Sequence, residues 1–160
     1  GFGAIAPFVD TTPVDWEKCV AVNLYGVMNC VHAALPPMIE QGWGRIVTIS
    51  SAAGQTGSSR QGHYSASKGG VIALTKAVAL EYAKRGITAN TIPPFIVDTP
   101  MLRGAQEAKF LPPADVLAKM VPAGRLGTGD DIGAMCAYLC SEAAGYITGQ
   151  VIGVNGGAVL

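Results

Sequence analysis

Three residues in one stretch of this 160-residue chain can act together on an oxygen bonded to carbon. Tyr64 and Lys68 are four positions apart, so on a helix they share a face, one turn from each other. Ser51 precedes them, at the end of a short β-branched run. A phenol with a pKa of about 10 is a poor acid–base group at neutral pH. An ammonium one turn away favours the phenolate and is expected to lower that value. A serine hydroxyl can hold the reacting oxygen and hydrogen-bond the charge that develops on it. The trio therefore suits proton transfer at a carbonyl or an alcohol. A Tyr-x-x-x-Lys pair alone is weak, since a chain of this composition contains one by chance roughly one time in five. Taken singly, Tyr64 is a partly buried helix tyrosine beside a solvated lysine, and Ser51 is a turn cap. The weight falls on the conjunction.

The flanking segments can bring the three together. Thr12-Pro13-Val14-Asp15 reads as a capped helix start, with proline at the first helical position. Trp16, Val20, Leu24, Val27 and Val31 then form one apolar stripe. Pro36-Pro37 is expected to kink or stop that helix, and Gly42 closes the segment. Residues 44–51 form a short apolar run suited to a strand covered on both faces. A Gly-, Ser- and Gln-rich loop follows from Ala52 to about Gly62, and a long helix runs from about His63 to Arg85, ending at Gly86. Ala66, Gly69, Gly70, Ala73 and Ala77 line one side of it, which predicts close packing there. Residues 87–92 read as a second buried strand, 99–122 as short helical pieces broken by prolines, 130–141 as another helix, and 150–154 as a last short strand. Strands alternating with long helices predict an α/β fold with a Rossmann-like, doubly wound parallel sheet. In such sheets ligands sit beyond the carboxyl ends of the strands, where Ser51 falls. Three strands make a poor sheet, so further strands are expected before Gly1.

Composition narrows the function classes. Hydrophobic residues make up 49% and charged residues 14%, which argues against disorder. Eleven basic and eleven acidic residues balance with no basic cluster, so neither nucleic acid nor an anionic membrane surface is an expected partner. No apolar stretch is expected to reach the ~18 residues that a membrane helix requires. Cys19, Cys30, Cys136 and Cys140 lie in helix-like segments without a C-x-x-C pair. They read as buried reduced thiols of a cytoplasmic protein, and with His32 they fit no common zinc spacing, so no metal site is assigned.

The run Gly44 to Ser51 followed by Tyr64-Ser65-Ala66-Ser67-Lys68 resembles the short-chain dehydrogenase/reductase family. So do Val22-Asn23-Leu24-Tyr25-Gly26, Asn90-Thr91-Ile92-Pro93-Pro94 and the ending Gly149-Gln150…Asn155-Gly156-Gly157. The resemblance covers essentially the whole chain and is strongest to the 3-oxoacyl-acyl-carrier-protein reductases. It implies an NADP- or NAD-dependent oxidoreductase that moves hydride between the nicotinamide and a carbonyl or secondary alcohol, including a 3-oxoacyl thioester. By that resemblance Asn23, Ser51, Tyr64 and Lys68 form a catalytic tetrad. Tyr64 exchanges the proton, Ser51 positions the oxygen, and Lys68 holds the nicotinamide ribose. Asn23, at a helix irregularity, holds a relay water. Tyr64, Lys68, Pro94, Val97 and Thr99 would contact the cofactor, and helices 13–41 and 63–85 would pair subunits into a homodimer or homotetramer.

The sequence departs from the family pattern in two ways. The glycine-rich phosphate loop is absent, and Gly127-Thr128-Gly129 is no substitute because no strand precedes it. Gly1 resembles the last glycine of the family's Asn-Asn-Ala-Gly motif. The 160 residues therefore read as one partial catalytic domain whose amino-terminal cofactor-binding segment is missing. Phe95 stands where the family has glycine, on a turn facing the nicotinamide, and there it would narrow the site, stack near the ring or impair binding. Met101, Leu102, Phe110 and Leu111 suggest a substrate with a hydrophobic part, and Arg103 is expected to be solvated. The competing class of reading is an inactive or assembly-only piece without a nucleotide site. A serine hydrolase through Ser51 and His63 fares badly, since there is no Gly-x-Ser-x-Gly elbow.

Overall fold

Thr12 opens the first helix with both halves of a capping box. Its hydroxyl accepts from the Asp15 backbone N–H at 3.3 Å, while the Asp15 carboxylate accepts from the Thr12 N–H at 2.9 Å. The computed structural model describes residues 3–160, and the expectation attached to Gly1 lies outside them. Helix α1 (Pro13–Val20) runs through a π turn (Ala21–Tyr25) into α2 (Gly26–Gln41) without interruption. Pro36-Pro37 does not stop it. Leu35 is buried, and Met38 and Ile39 pack on the same core, so tertiary contacts hold the last turn where prolines remove its internal hydrogen bonds. Gly42, at φ 66°, closes the helix in the left-handed conformation.

Strand β1 (Gly44–Ile49) pairs in parallel with β2 (Ile87–Ile92), in register from Gly44 opposite Ile87 to Ile49 opposite Ile92. Every residue of β2 is buried, as a strand covered on both faces requires. On one face Ile46, Ile87 and Ala89 meet Val31 and Leu35 of α2 and Val78 and Ala79 of the long helix α4 (Gly62–Tyr82). On the other, Val47 and Ile92 meet Ile132, Met135 and Leu139 of α7 (Gly129–Leu139). Alternate strand residues thus serve opposite layers, which makes this an α/β fragment with helices on both faces.

The expected third strand at 150–154 is reduced to a single parallel bridge between Thr91 and Val151. Side chains replace its ladder. The Asn90 amide donates to the Ile147 carbonyl at 2.8 Å and accepts from the Gln150 N–H at 3.0 Å, and Gly149 turns there at φ 72°. Among the described residues, β1 has β2 on one edge and no strand on the other.

The expected loop from 52 to 62 contains a one-turn helix, α3 (Ala53–Thr56), started by the Ser51 hydroxyl accepting from the Ala53 N–H at 3.2 Å. It explains part of the small-residue side of α4. A Cβ built on Gly54 would lie 2.7 Å from the Lys68 carbonyl carbon and 2.8 Å from the Gly69 nitrogen. One built on Gly70 would lie 2.9 Å from Leu24, on the π turn. Ala66, Ala73 and Ala77 are exposed instead.

After β2 come α5 (Pro100–Glu107) and α6 (Ala114–Ala118), the short pieces expected there. Thr128 caps α7 through a second capping box with Asp131, so Gly127-Thr128-Gly129 is a helix entry. The cysteines carry no disulfide, but only Cys19 is buried; Cys30, on α2, and Cys140, just after α7, are exposed. Contrary to the expectation that no apolar stretch is long enough, the helix over 13–41, unbroken by Pro36-Pro37, is long and apolar enough by composition to cross a membrane. Here it is seated on the sheet through Val31 and Leu35.

Candidate active site

β1 ends at Ile49, and two residues later Ser51 stands at the carboxyl end of the sheet. The Ser51–Ala52 turn is fixed to the neighbouring strand's exit, because the Ala52 N–H donates to the Pro94 carbonyl at 2.9 Å. α3 returns the chain to α4, whose first turn carries Tyr64 and whose second carries Lys68. The Lys68 side chain folds back against the end of β1, with Nζ donating to the Ile49 carbonyl at 3.0 Å. Its residue exposure is only 8%. The ammonium also lies 5.8 Å from the centre of the Tyr64 ring.

The electrostatics depart from the expectation drawn from spacing. Burial pushes the Tyr64 phenol above the ordinary tyrosine value; a hydrogen bond with the Ser51 side chain pulls it part of the way back, and Cys19 adds to the rise. Lys68 does not lower the phenol as expected, because its ammonium is turned to the Ile49 carbonyl and desolvation of the phenolate dominates. Burial likewise lowers the pKa of Lys68, with Cys19 opposing.

Asn23 is buried at the middle of the π turn, the irregularity anticipated there. Such turns widen the helix and recur at functional sites. Its Nδ2 donates to Ser67 Oγ at 3.2 Å and to Cys19 Sγ at 3.3 Å. Ser67, the neighbour of Lys68, donates in turn to the Tyr64 carbonyl at 2.8 Å. Sequence reasoning missed Cys19 and Ser67. The available signal was that Cys19 precedes Asn23 by one helical turn and Ser67 adjoins Lys68.

The remaining residues of interest line the exit from β2. Pro94 is tied to the Ser51 turn, and Val97 bridges to Gly127. Thr99 caps α5 by accepting from the Leu102 N–H at 3.3 Å. Phe95 does not have a positive φ, so its backbone does not need glycine's freedom. Its side chain lines a cleft of about 380 Å3 with Ile96, Val121, Met135 and Val154. Arg125 is also at this cleft, held by Asp131 through two hydrogen bonds of 2.7 and 2.8 Å that keep the carboxyl well below the usual carboxylate range. On the flap, Leu102 is buried while Met101 and Phe110 are exposed, and Arg103 is paired with Asp98 at 2.9 Å rather than simply solvated. His63 is buried beside Trp16, and among the described residues neither ring nitrogen has a hydrogen-bond partner, so it does not serve Ser51. No group of three or more His, Cys, Asp or Glu side chains among the described residues is arranged to hold a metal.

A parallel α/β layer that gathers serine, tyrosine and lysine at its carboxyl edge defines a Rossmann-type site. The pattern of the family described as Enoyl-(Acyl carrier protein) reductase matches residues 1–159. The chain belongs to this family, within the short-chain dehydrogenase/reductases. It is similar to the acetoacetyl-CoA reductase of Rhizobium meliloti (strain 1021), 42% identical over 95% of this chain and 62% of the relative. The 3-oxoacyl-acyl-carrier-protein reductase FabG of Aggregatibacter actinomycetemcomitans is 42% identical over 94% of this chain and 60% of its own. Among solved structures, ElxO with NADP bound superposes with a TM-score of 0.91 and 31% identity, over 99% of this chain and 64% of that one. A gluconate 5-dehydrogenase from Burkholderia cenocepacia J2315, in complex with NADP and tartrate, superposes with a TM-score of 0.90 and 34% identity, over 99% and 61%. The chain thus spans about three-fifths of the length of the curated relatives it matches.

Proposed function

We propose that this chain supplies the proton-transfer site of an NADP- or NAD-dependent oxidoreductase acting on a carbonyl or secondary-alcohol pair. The observation that carries the reading is the convergence of Ser51, Tyr64 and a buried Lys68 at the carboxyl end of β1. NADP is the favoured cofactor, since both solved neighbours named above hold it. A 3-oxoacyl thioester is the favoured substrate, by similarity to the two reductases.

The residues present fit the nicotinamide end of such a cofactor. Lys68 has three donors, and the Ile49 carbonyl uses one, so two can meet sugar hydroxyls from a buried position. Pro94, Val97 and Thr99 form the adjoining edge. When bound, the nicotinamide supplies or takes the hydride at the substrate carbon. In reduction Tyr64 gives its phenolic proton to the carbonyl oxygen, and burial keeps that proton on the phenol at neutral pH. Ser51 hydrogen-bonds the same oxygen as charge builds on it. Asn23 orders the proton path behind Lys68. We assign a neutral, apolar substrate tail to the cleft lined by Phe95, which adjoins the exit of β2 and is not lined by Ser51, Tyr64 or Lys68, because Arg125 there is already neutralised by Asp131. We place the protein in the cytoplasm, where its cysteine thiols would stay reduced.

The test is Tyr64→Phe in the full-length protein, assayed with NADPH and acetoacetyl thioester. Turnover should fall by about 10²–10⁴-fold with an unchanged far-ultraviolet spectrum. Retention of the parent rate by the folded variant would remove Tyr64 from the reaction. No turnover by the parent with any ketone would favour the assembly-only reading.

A further inference from the structure

We propose that Cys19 is a positioning residue of the Tyr64–Lys68 site: its thiol fixes the Asn23 amide and, through Ser67, holds the π turn in register with the first turn of α4. The proposal rests on the oxidoreductase reading above for its kinetic consequences, though not for the contact itself.

The hydrogens of this cluster can be assigned from chemistry. Ser67 has one hydroxyl proton, and it goes to the Tyr64 carbonyl at 2.8 Å. Towards Asn23, at 3.2 Å, Ser67 Oγ can therefore only accept, so the amide must present Nδ2 to it. The same Nδ2 stands 3.3 Å from Cys19 Sγ, which accepts the second amide hydrogen. Cys19 Sγ is also 3.8 Å from Ser67 Oγ. Since the serine proton is committed elsewhere, the thiol donates across that contact. Along these contacts the hydrogens run in one direction: Asn23 to the thiol, the thiol to Ser67, and Ser67 to the backbone of Tyr64.

All three side chains are at most 2% exposed, so no solvent can substitute for a lost partner. A valine at position 19 would fill a similar volume and offer no acceptor, removing the thiol contact from a buried amide. The amide would then be held less firmly, and the π turn less firmly keyed through Ser67 to the first turn of α4. Van der Waals filling of this position by any aliphatic residue would meet none of these conditions.

The experiment compares Cys19→Val and Cys19→Ser in the full-length protein. It measures hydrogen exchange of the Asn23 side-chain amide together with kcat and KM for a ketone substrate. In Cys19→Val the amide should exchange about tenfold faster or more. Its kcat should fall about tenfold with KM within about twofold of the parent, as expected when a reacting group is misplaced. Cys19→Ser, which keeps a donor and an acceptor, should stay within about threefold of the parent in kcat. Unchanged amide exchange in Cys19→Val would overturn the contact. Faster exchange with unaltered kcat would overturn the positioning role, as would a serine variant no better than valine. If Cys19→Val does not fold, Cys19→Ala takes its place under the same criteria. Loss of the oxidoreductase reading is seen separately: Tyr64→Phe, run alongside, would then retain turnover while the exchange comparison still decides the contact.

Discussion

Burial of a phenol next to a lysine sets two tendencies against each other at Tyr64, and desolvation wins. The consequence is directional. Carbonyl reduction needs the protonated phenol, which is the form burial favours, so its rate should be flat across neutral pH. Alcohol oxidation needs the phenolate and should keep rising with pH through the ordinary tyrosine range near 10. Initial rates in both directions from pH 7 to 11 check this; an oxidation rate that levels off near neutrality would contradict it. The stability sign is consistent. A raised phenol pKa means the folded state favours the neutral form, so the associated stability is present below the unfolded pKa and lost as pH rises through the folded value. Phe95 carries a second expectation at this scale. Its ring is a wall of the apolar cleft, so Phe95→Ala should shift ketone preference towards longer chains, read as a change in the ratio of kcat/KM between six- and ten-carbon substrates. An unchanged ratio would take Phe95 out of substrate selection. Ser51, Tyr64 and Lys68 were legible in the sequence because helical spacing and a strand end bring them near. The contacts of Asn23 and Cys19 with Ser67 were not, since they join residues 44 and 48 positions apart and exist only once the first helix packs against α4.

The elements pack through two close approaches that glycine alone permits, one beside Lys68 and one at the far, amino end of the strands. Gly54 of α3 lies against the Lys68–Gly69 backbone, and Gly86 passes the Gly42 carbonyl at φ 73°. A methyl group at Gly54 would meet main-chain atoms, which cannot rotate away. Gly54→Ala should therefore cost about 1–3 kcal/mol and lower the midpoint of thermal unfolding. Gly104, within α5, is the control. A Cβ there meets nothing within 4 Å, and alanine should stabilise by about 0.5–1 kcal/mol. Thermal unfolding of the pair checks both signs, and equal effects would mean that α3 does not bear on α4. The same contrast explains which elements were legible. β1, β2 and α4 follow from apolar pattern and end residues. α3 escaped notice because four residues carry no periodicity, and its start depends on Ser51 turning back to cap Ala53. The passage of the helix through Pro36-Pro37 was equally hidden, because burial of Leu35 and packing of Met38 and Ile39 decide it.

At the scale of the molecule, apolar surface is distributed unevenly. The helix over 13–41 exposes Val14, Val22, Tyr25 and Met28, and α4 exposes Ala66, Ala73, Ala77 and Leu80, the last at 85%. Its bilayer-like composition follows from this: one side faces the sheet and the other is an uncovered apolar face. The fold class and the layer order were legible because they depend on pattern over long windows. What covers the outer helix face was not, since a sequence periodicity records that a face is apolar and omits its partner. We propose that a second copy covers it through helices 13–41 and 63–85, forming a homodimer or homotetramer. A face built from alanines lets helix backbones approach closely, and Ala73 lies at the middle of the exposed row on α4. Ala73→Glu should then introduce like charges into the contact while leaving the fold intact, since residue 73 is exposed in the single chain. Sedimentation velocity at micromolar concentration should show the parent associated and the variant shifted to monomer, with Glu107→Ala, on α5, as a charge-changing control that leaves association unaltered. A parent that sediments as a monomer, or a variant that sediments like the parent, would move the pairing surface away from these helices.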